Sequence, residues 1–147
     1  RMTTNGYKIY YTNKIQSNYH VRASFSKLYK QYNQYGYWKV YVNKKVKAIT
    51  SMRQLFPAIF VASVFVGLAL SFVHNILLLV WILGITLYLL AAFVFAIQKT
   101  KRIQEIFMVV FSFMILHWSY GSGYLKGIFT FLLLGKNPSR TSKNLTR

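Results

Sequence analysis

Two long uncharged stretches, residues 55–73 and 76–97, constrain this chain more than any other feature. The first holds 19 residues and the second 22, with no Lys, Arg, Asp or Glu in either. As helices at ~1.5 Å per residue they reach roughly 28 and 33 Å, close to the ~30 Å hydrocarbon thickness of a bilayer. A helix on a soluble core keeps a polar stripe toward water, and neither stretch has one. Both are therefore expected to cross a membrane. Only His74 and Asn75 separate them, which forces a tight antiparallel hairpin. Pro57 falls in the first turn of the first helix, where its missing N–H does little harm.

Charge then divides the chain and orients it. The 147 residues carry a net charge of +18, and Glu105 is the only acidic residue. Residues 1–53 are polar, tyrosine-rich and basic, with eleven Lys or Arg. They and Lys99, Lys101 and Arg102, which follow the second helix, belong on the cytoplasmic side by the positive-inside trend. The expected organisation is a cytoplasmic part over 1–53, a membrane part over 54–134 with helices near 55–73, 76–97 and 105–134, and a basic tail over 135–147.

The scarcity of acids also excludes chemistry. A divalent-cation site for phosphates wants carboxylate oxygens, and a general base is usually Asp, Glu or His. One Glu and three scattered histidines, His20, His74 and His117, supply no paired-carboxylate site. Cysteine is absent, so disulfides and thiolate metal sites are excluded. Glu105, beside Lys101 and Arg102, reads as a helix-start or ion-pair residue. His117, in an apolar run, reads as a packed and hydrogen-bonded side chain.

The third apolar region is less regular. Residues 106–116 are apolar, the segment HWSYGSGYLKG follows over 117–127, and residues 128–134 are apolar again. One continuous helix would exceed 40 Å at ~1.5 Å per residue, overlong for a simple span. Gly121 and Gly123 offer a kink or break. A single crossing would leave Lys136, Arg140, Lys143 and Arg147 outside, against the charge trend. A re-entrant or interfacial helical pair is therefore expected. Gly123 and Gly127, four apart, also permit close approach of another helix. Asn144 to Thr146 matches a glycosylation sequon in a tail expected to be cytoplasmic.

The basic N-terminal part has its own order. Asn5-Gly6 signals a turn, and Tyr7 to Tyr11 reads as a short strand rich in β-formers. Ser24 is placed to cap a helix. Phe25, Leu28, Tyr29, Tyr32 and Tyr35 follow the spacing of one helical face, with Lys27, Lys30, Gln31 and Gln34 on the rest of the surface. Gly36 is expected to end this helix. An amphipathic basic helix shortly before a span suits the membrane interface.

The segment KQYNQYGYWKVYVNKK, residues 30–45, interleaves lysines with aromatics and has no acid. Lysines on phosphates with tyrosine stacking platforms would suit nucleic acid. Positive-inside sorting, anionic lipid and interfacial Tyr and Trp account for the same composition at a membrane. The spans that follow favour the membrane over nucleic acid. There the face either meets lipid or turns Gln31, Gln34, Tyr35 and Trp38 toward a polar substrate.

The order of short motifs along the chain resembles membrane-bound family-2 glycosyltransferases of the bacterial exopolysaccharide type, such as the succinoglycan-biosynthesis transferases. The motifs are Arg1, then Gly6-Tyr7-Lys8-Ile9, then Arg22-Ala23-Ser24 through Leu28 to Gln31. YGYWK at 35–39, RQLFP at 53–57 and HWSYGSGYLKG at 117–127 complete the series. The resemblance implies that the sugar-nucleotide half of a GT-A domain, its Asp-x-Asp site for Mg or Mn and its catalytic carboxylate precede Arg1. This fragment alone would then be inactive and would bind no cofactor. The implied fold is mainly α: a membrane hairpin plus a third apolar segment, preceded by the last strand and interfacial helix of a truncated GT-A α/β domain.

Processive relatives in that family carry a Gln-x-x-Arg-Trp motif on an interfacial helix beside the acceptor. Gln31 matches its Gln, while Gln34 and Tyr35 stand where the motif has Arg and Trp. The resemblance thus implies acceptor contacts from Gln31, Gln34, Tyr35 and Trp38, with Lys30 or Lys39 supplying phosphate contacts in place of the Arg. The expected partners are a nucleotide-sugar, a lipid-linked or polysaccharide acceptor and an anionic inner-membrane bilayer. The rival expectation is a small basic membrane protein that binds anionic lipid or scaffolds a partner and is not an enzyme.

Overall fold

A computed structural model describes residues 6–8, 10–18, 24–48 and 51–138. Four helices follow one another: α1 over Phe25–Val46, α2 over Phe56–Ser71, α3 over Asn75–Lys99 and α4 over Ile103–Gly127. A 3₁₀ turn, Met52–Leu55, leads into α2, and a π-helical stretch, Ile128–Leu133, prolongs α4. Taken with these extensions, three helices are long and apolar enough to cross a membrane: Met52–Ser71, Asn75–Lys99 and Ile103–Leu133.

The hairpin of α2 and α3 forms as its sequence requires. Pro57 sits in the first turn of α2. Residues 72–74 make the connection, and Asn75 opens α3 instead of belonging to the turn. His74 caps α3, its Nδ1 accepting from the Ile76 N–H at 3.1 Å. Between the helices, Trp81 Nε1 donates to the Val64 carbonyl at 3.1 Å, and its ring fills the space that Gly67 leaves open. Phe60 and Tyr88 pack with tilted rings, 4.4 Å between centroids. Most other large side chains of the pair, among them Leu79, Leu83 and Phe95, face outward. An apolar exterior of this extent suits hydrocarbon and not water.

The described residues contain no strand. Tyr7, Lys8, Tyr10 and Tyr11 are irregular and exposed, against the expected strand, while Ile9 lies outside the described residues. A strand is stable only when neighbours complete its hydrogen-bond ladder, and no described segment pairs with this one. His20, Arg22, Asn144 and the other residues of 19–23 and 139–147 also lie outside the described residues.

Ser24 caps α1 as its position suggests, accepting from the Lys27 N–H at 3.3 Å. The helix does not end at Gly36, however, but runs 22 residues. At Gly36 the backbone of α1 meets α4 so closely that a Cβ would collide with the Tyr120 carbonyl and lie 2.8 Å from the Tyr124 nitrogen. Glycine is there because two helices touch, and that packing outweighs its roughly 1 kcal/mol helix cost. α1 stops at Lys47, in the left-handed conformation at φ 55°, with its N–H on the Asn43 and Lys44 carbonyls.

α1 and α4 lie parallel, and the register is fixed by named contacts. Phe25 meets Phe111 edge to face at 4.9 Å. Asn33 Nδ2 donates to the Ser119 carbonyl and the Ser122 hydroxyl, both at 3.1 Å. Asn43 Nδ2 donates to the Tyr124 hydroxyl at 3.2 Å, and Lys44 Nζ to the Phe131 carbonyl. Ser119, Gly123 and Gly127, spaced by four, give α4 a small-residue seam against α1. A Cβ at Gly123 would strike the Asn33 backbone, and one at Gly127 would lie 2.7 Å from the Tyr37 carbonyl. The expected close approach is therefore present, and α1 is the helix that comes close.

Gly121 and Gly123 do not break α4, which is a single helix where a helical pair was expected. Gly121 abuts the Pro57 carbonyl and Val61 of α2, just as Gly123 abuts α1. These contacts hold both glycines in helical geometry. Glu105 sits where α3 turns into α4, 3.3 Å from Arg102 and accepting from the Thr100 hydroxyl, the helix-start role expected of it.

Candidate functional site

The start of α2 comes up beside α1 and leaves a cleft of about 650 Å³ between them. Tyr35, Trp38, Lys39 and Val42 line it from α1, Ser51, Arg53, Gln54 and Pro57 from the approach to α2, and Tyr120 from α4. Positions 31, 35, 38, 39 and 42 share one side of a helix turning about 100° per residue. That spacing is why Tyr35, Trp38 and Lys39 converge.

Each side chain has a local reason for its position. Gln31 Nε2 donates to the Tyr35 hydroxyl at 2.7 Å, one turn along the helix. It orients the phenol and leaves a ring that is 54 % exposed. Trp38 is held from behind, with its ring 6.0 Å from Phe131 and 5.4 and 6.1 Å from Tyr37 and Tyr41. Phe131 is fully buried, so the indole rests on packed core. Tyr120 stacks on Tyr124 at 6.1 Å. Lys39 and Arg53 bring two positive charges to a cleft whose chain has no carboxylate except Glu105, engaged at the start of α4.

Three expected site residues, Lys30, Gln31 and Gln34, are absent from the cleft lining, and Gln31 reaches it only through its bond to Tyr35. Lys30 lies on the far side of α1 from Tyr35, and Gln34 lies a full 100° from it. Of the two lysines expected to contact phosphate, Lys39 lines the cleft and Lys30 does not. Sequence reasoning missed Tyr120 and the site role of Arg53. Both stand in the quoted motifs, but only the packing of α2 and α4 on α1 joins them to Tyr35 and Trp38.

No family model, curated protein or solved structure matches this chain. The site is therefore read from its own chemistry. Two cations, an indole, two phenols and an amide suit a ligand that is both anionic and hydroxyl-rich. Guanidinium and ammonium groups make charge-assisted bonds to phosphate, and aromatic faces cover apolar sugar faces while their polar atoms stay wet. Nothing in the cleft is placed to take a proton. Among the described residues no three His, Asp or Glu side chains converge.

His117 has the packed role expected of it. Its Nδ1 lies 2.9 Å from the Phe113 carbonyl and 3.1 Å from the Tyr88 hydroxyl, and its ring is 6.1 Å from Phe60. It joins α2, α3 and α4 at one point.

Proposed function

We propose that this chain is the membrane-anchoring, acceptor-side portion of a glycosyltransferase that moves a sugar from a nucleotide-sugar to a lipid-linked or polysaccharide acceptor. It would reside in the inner membrane with its N-terminal part cytoplasmic. The observation that carries the reading is the cleft in which Tyr35, Trp38, Lys39 and Arg53 meet at the head of an apolar helix. A lipid-linked acceptor has its phosphate at the bilayer surface, its sugar beyond and its chain in hydrocarbon. Lys39 and Arg53 take the phosphate, while Trp38 and Tyr35 cover the sugar. Gln31 fixes the Tyr35 hydroxyl.

The chain's contribution to rate is then positional: it holds the acceptor hydroxyl where the donor is presented. The catalytic carboxylate, the metal and the nucleotide site belong to the remainder of the enzyme. Donor sugar and linkage are set there too.

A second reading, a small basic protein that binds anionic lipid and has no enzymatic parent, draws on the exposed lysines of α1, Lys27, Lys30 and Lys45. The coding DNA upstream of Arg1 separates the two. A reading frame of roughly 200 residues, with alternating strands and helices and an Asp-x-Asp, is expected for the transferase. A start codon close by, with no such domain, would sink it. In the full-length enzyme, the double variant Gln31→Ala, Tyr35→Ala is expected to weaken acceptor affinity. Unchanged turnover and acceptor affinity at normal membrane levels would remove the acceptor assignment.

A further inference from the structure

α1 and α4 run parallel and touch from the Phe25–Phe111 contact to the Lys44–Phe131 bond. Whatever depth α4 takes in a bilayer over this stretch, α1 must take as well. α1 carries Lys27, Lys30, Lys39, Lys44 and Lys45, together with Gln31, Gln34 and Asn43, and no acid to pair with them. A single lysine at mid-membrane is already costly, and such residues are tolerated only when they are paired or reach the interface. Length and apolarity qualify α4 as a span, but its companion helix does not.

The sides of the pair agree with this. The α4 seam against α1 is Ser119, Gly123 and Gly127. Phe107, Met114, Trp118 and Phe129 project from the other side of α4 at helical spacing, and all four are exposed. The layer therefore has lysines above and apolar side chains below. Its contacts with the hairpin fall toward one end of it: Gly121 on Pro57, Trp118 on Phe65, His117 on Tyr88, and Val110 in one cluster with Ala92 and Ala96. Pro57, Tyr88, Ala92 and Ala96 lie in the halves of α2 and α3 next to Met52 and Lys99, where the basic residues lie, and Phe65 lies just past the middle of α2.

We propose that α4 does not cross the bilayer. With α1 it lies along the anionic leaflet at the Met52 and Lys99 ends of the hairpin, apolar stripe in the acyl chains and lysines in the headgroup and water layer. Only α2 and α3 span. This is the arrangement of an interfacial amphipathic helix, here built from two helices. Anionic lipid is the partner because the surface is uniformly basic. Lys136 then emerges on the same side as Lys101. The proposal does not depend on the transferase reading.

Because the chain has no cysteine, single cysteines report cleanly. The full chain is reconstituted in sided vesicles of phosphatidylcholine and phosphatidylglycerol and treated with a membrane-impermeant maleimide. Ser26→Cys and Lys136→Cys are expected to react from one face and Val73→Cys from the opposite face. Reaction of Lys136→Cys on the same face as Val73→Cys would overturn the proposal. Spin labels on Phe107→Cys, Met114→Cys and Phe129→Cys provide a second readout, with similar shallow depths expected for all three. Met114 at the bilayer centre, with Phe107 and Phe129 in opposite leaflets, would contradict it. Neither readout requires sugar transfer, so failure here is distinguishable from failure of the transferase reading.

Discussion

Gly123 and Gly84 are both glycines inside long helices, yet they answer to different forces. A Cβ at Gly123 would run into the Asn33 backbone, whereas one at Gly84 would meet nothing within 4 Å. Gly123→Ala is therefore expected to destabilise the α1–α4 contact by about 1–3 kcal/mol, the usual cost of overpacking. Gly84→Ala is expected to leave stability unchanged or raised, since alanine favours the helix. Thermal unfolding of both variants in detergent checks the contrast, and equal effects would show that the seam is not tightly packed. Lys47 presents the reverse situation, a side chain at φ 55° where glycine would be at ease. Lys47→Gly is expected to stabilise the end of α1 by up to about 1 kcal/mol. The same unfolding measurement tests it, and a loss of stability would show that the Lys47 side chain matters more than its backbone.

At the level of elements, what the sequence disclosed and what it hid follow from the range of the forces involved. α2 and α3 were legible because uncharged runs of 19 and 22 residues leave few alternatives. The start of α1 was legible because Ser24 caps its own helix, a contact three residues long. Ser24→Ala is expected to cost about 1 kcal/mol, read as faster amide exchange over the first turn of α1. The end of α1 and the continuity of α4 were not legible. Gly36, Gly121 and Gly123 look like breakers until the helices against them are known, and those contacts span more than fifty residues of sequence. The candidate site divides in the same way. Tyr35, Trp38 and Lys39 were all named from the sequence, but the helical face they share exists only because α1 continues past Gly36. Gln34 was included with the polar residues of α1 and by alignment with a motif, although it does not line the cleft. Arg53 and Tyr120 enter only through tertiary packing. Asn33 holds the two helices through Ser119 and Ser122. Asn33→Ala is expected to loosen α1 from α4 by about 1–3 kcal/mol, seen as earlier protease cleavage of α1 with the hairpin intact.

At the scale of the whole molecule, an outward-facing apolar hairpin meets a basic two-helix layer, and the cleft lies where they join. Its lining draws on α1, the head of α2 and α4, so it exists only when all three are assembled. That arrangement brings positive charge and aromatic faces to the place where the head of a membrane lipid would stand. The single carboxylate, Glu105, is tied to Arg102 and Thr100, and in the proposed transferase the chain's contribution is to binding and position. The measurement that tests this most directly is steady-state transfer by the proposed full-length transferase carrying Lys39→Ala and Arg53→Ala, with acceptor and donor concentrations varied separately. Loss of charge-assisted phosphate contacts is expected to raise the acceptor KM by roughly tenfold to a hundredfold, with the donor KM unchanged. An unchanged acceptor KM, or a rise confined to the donor, would contradict the acceptor-side assignment.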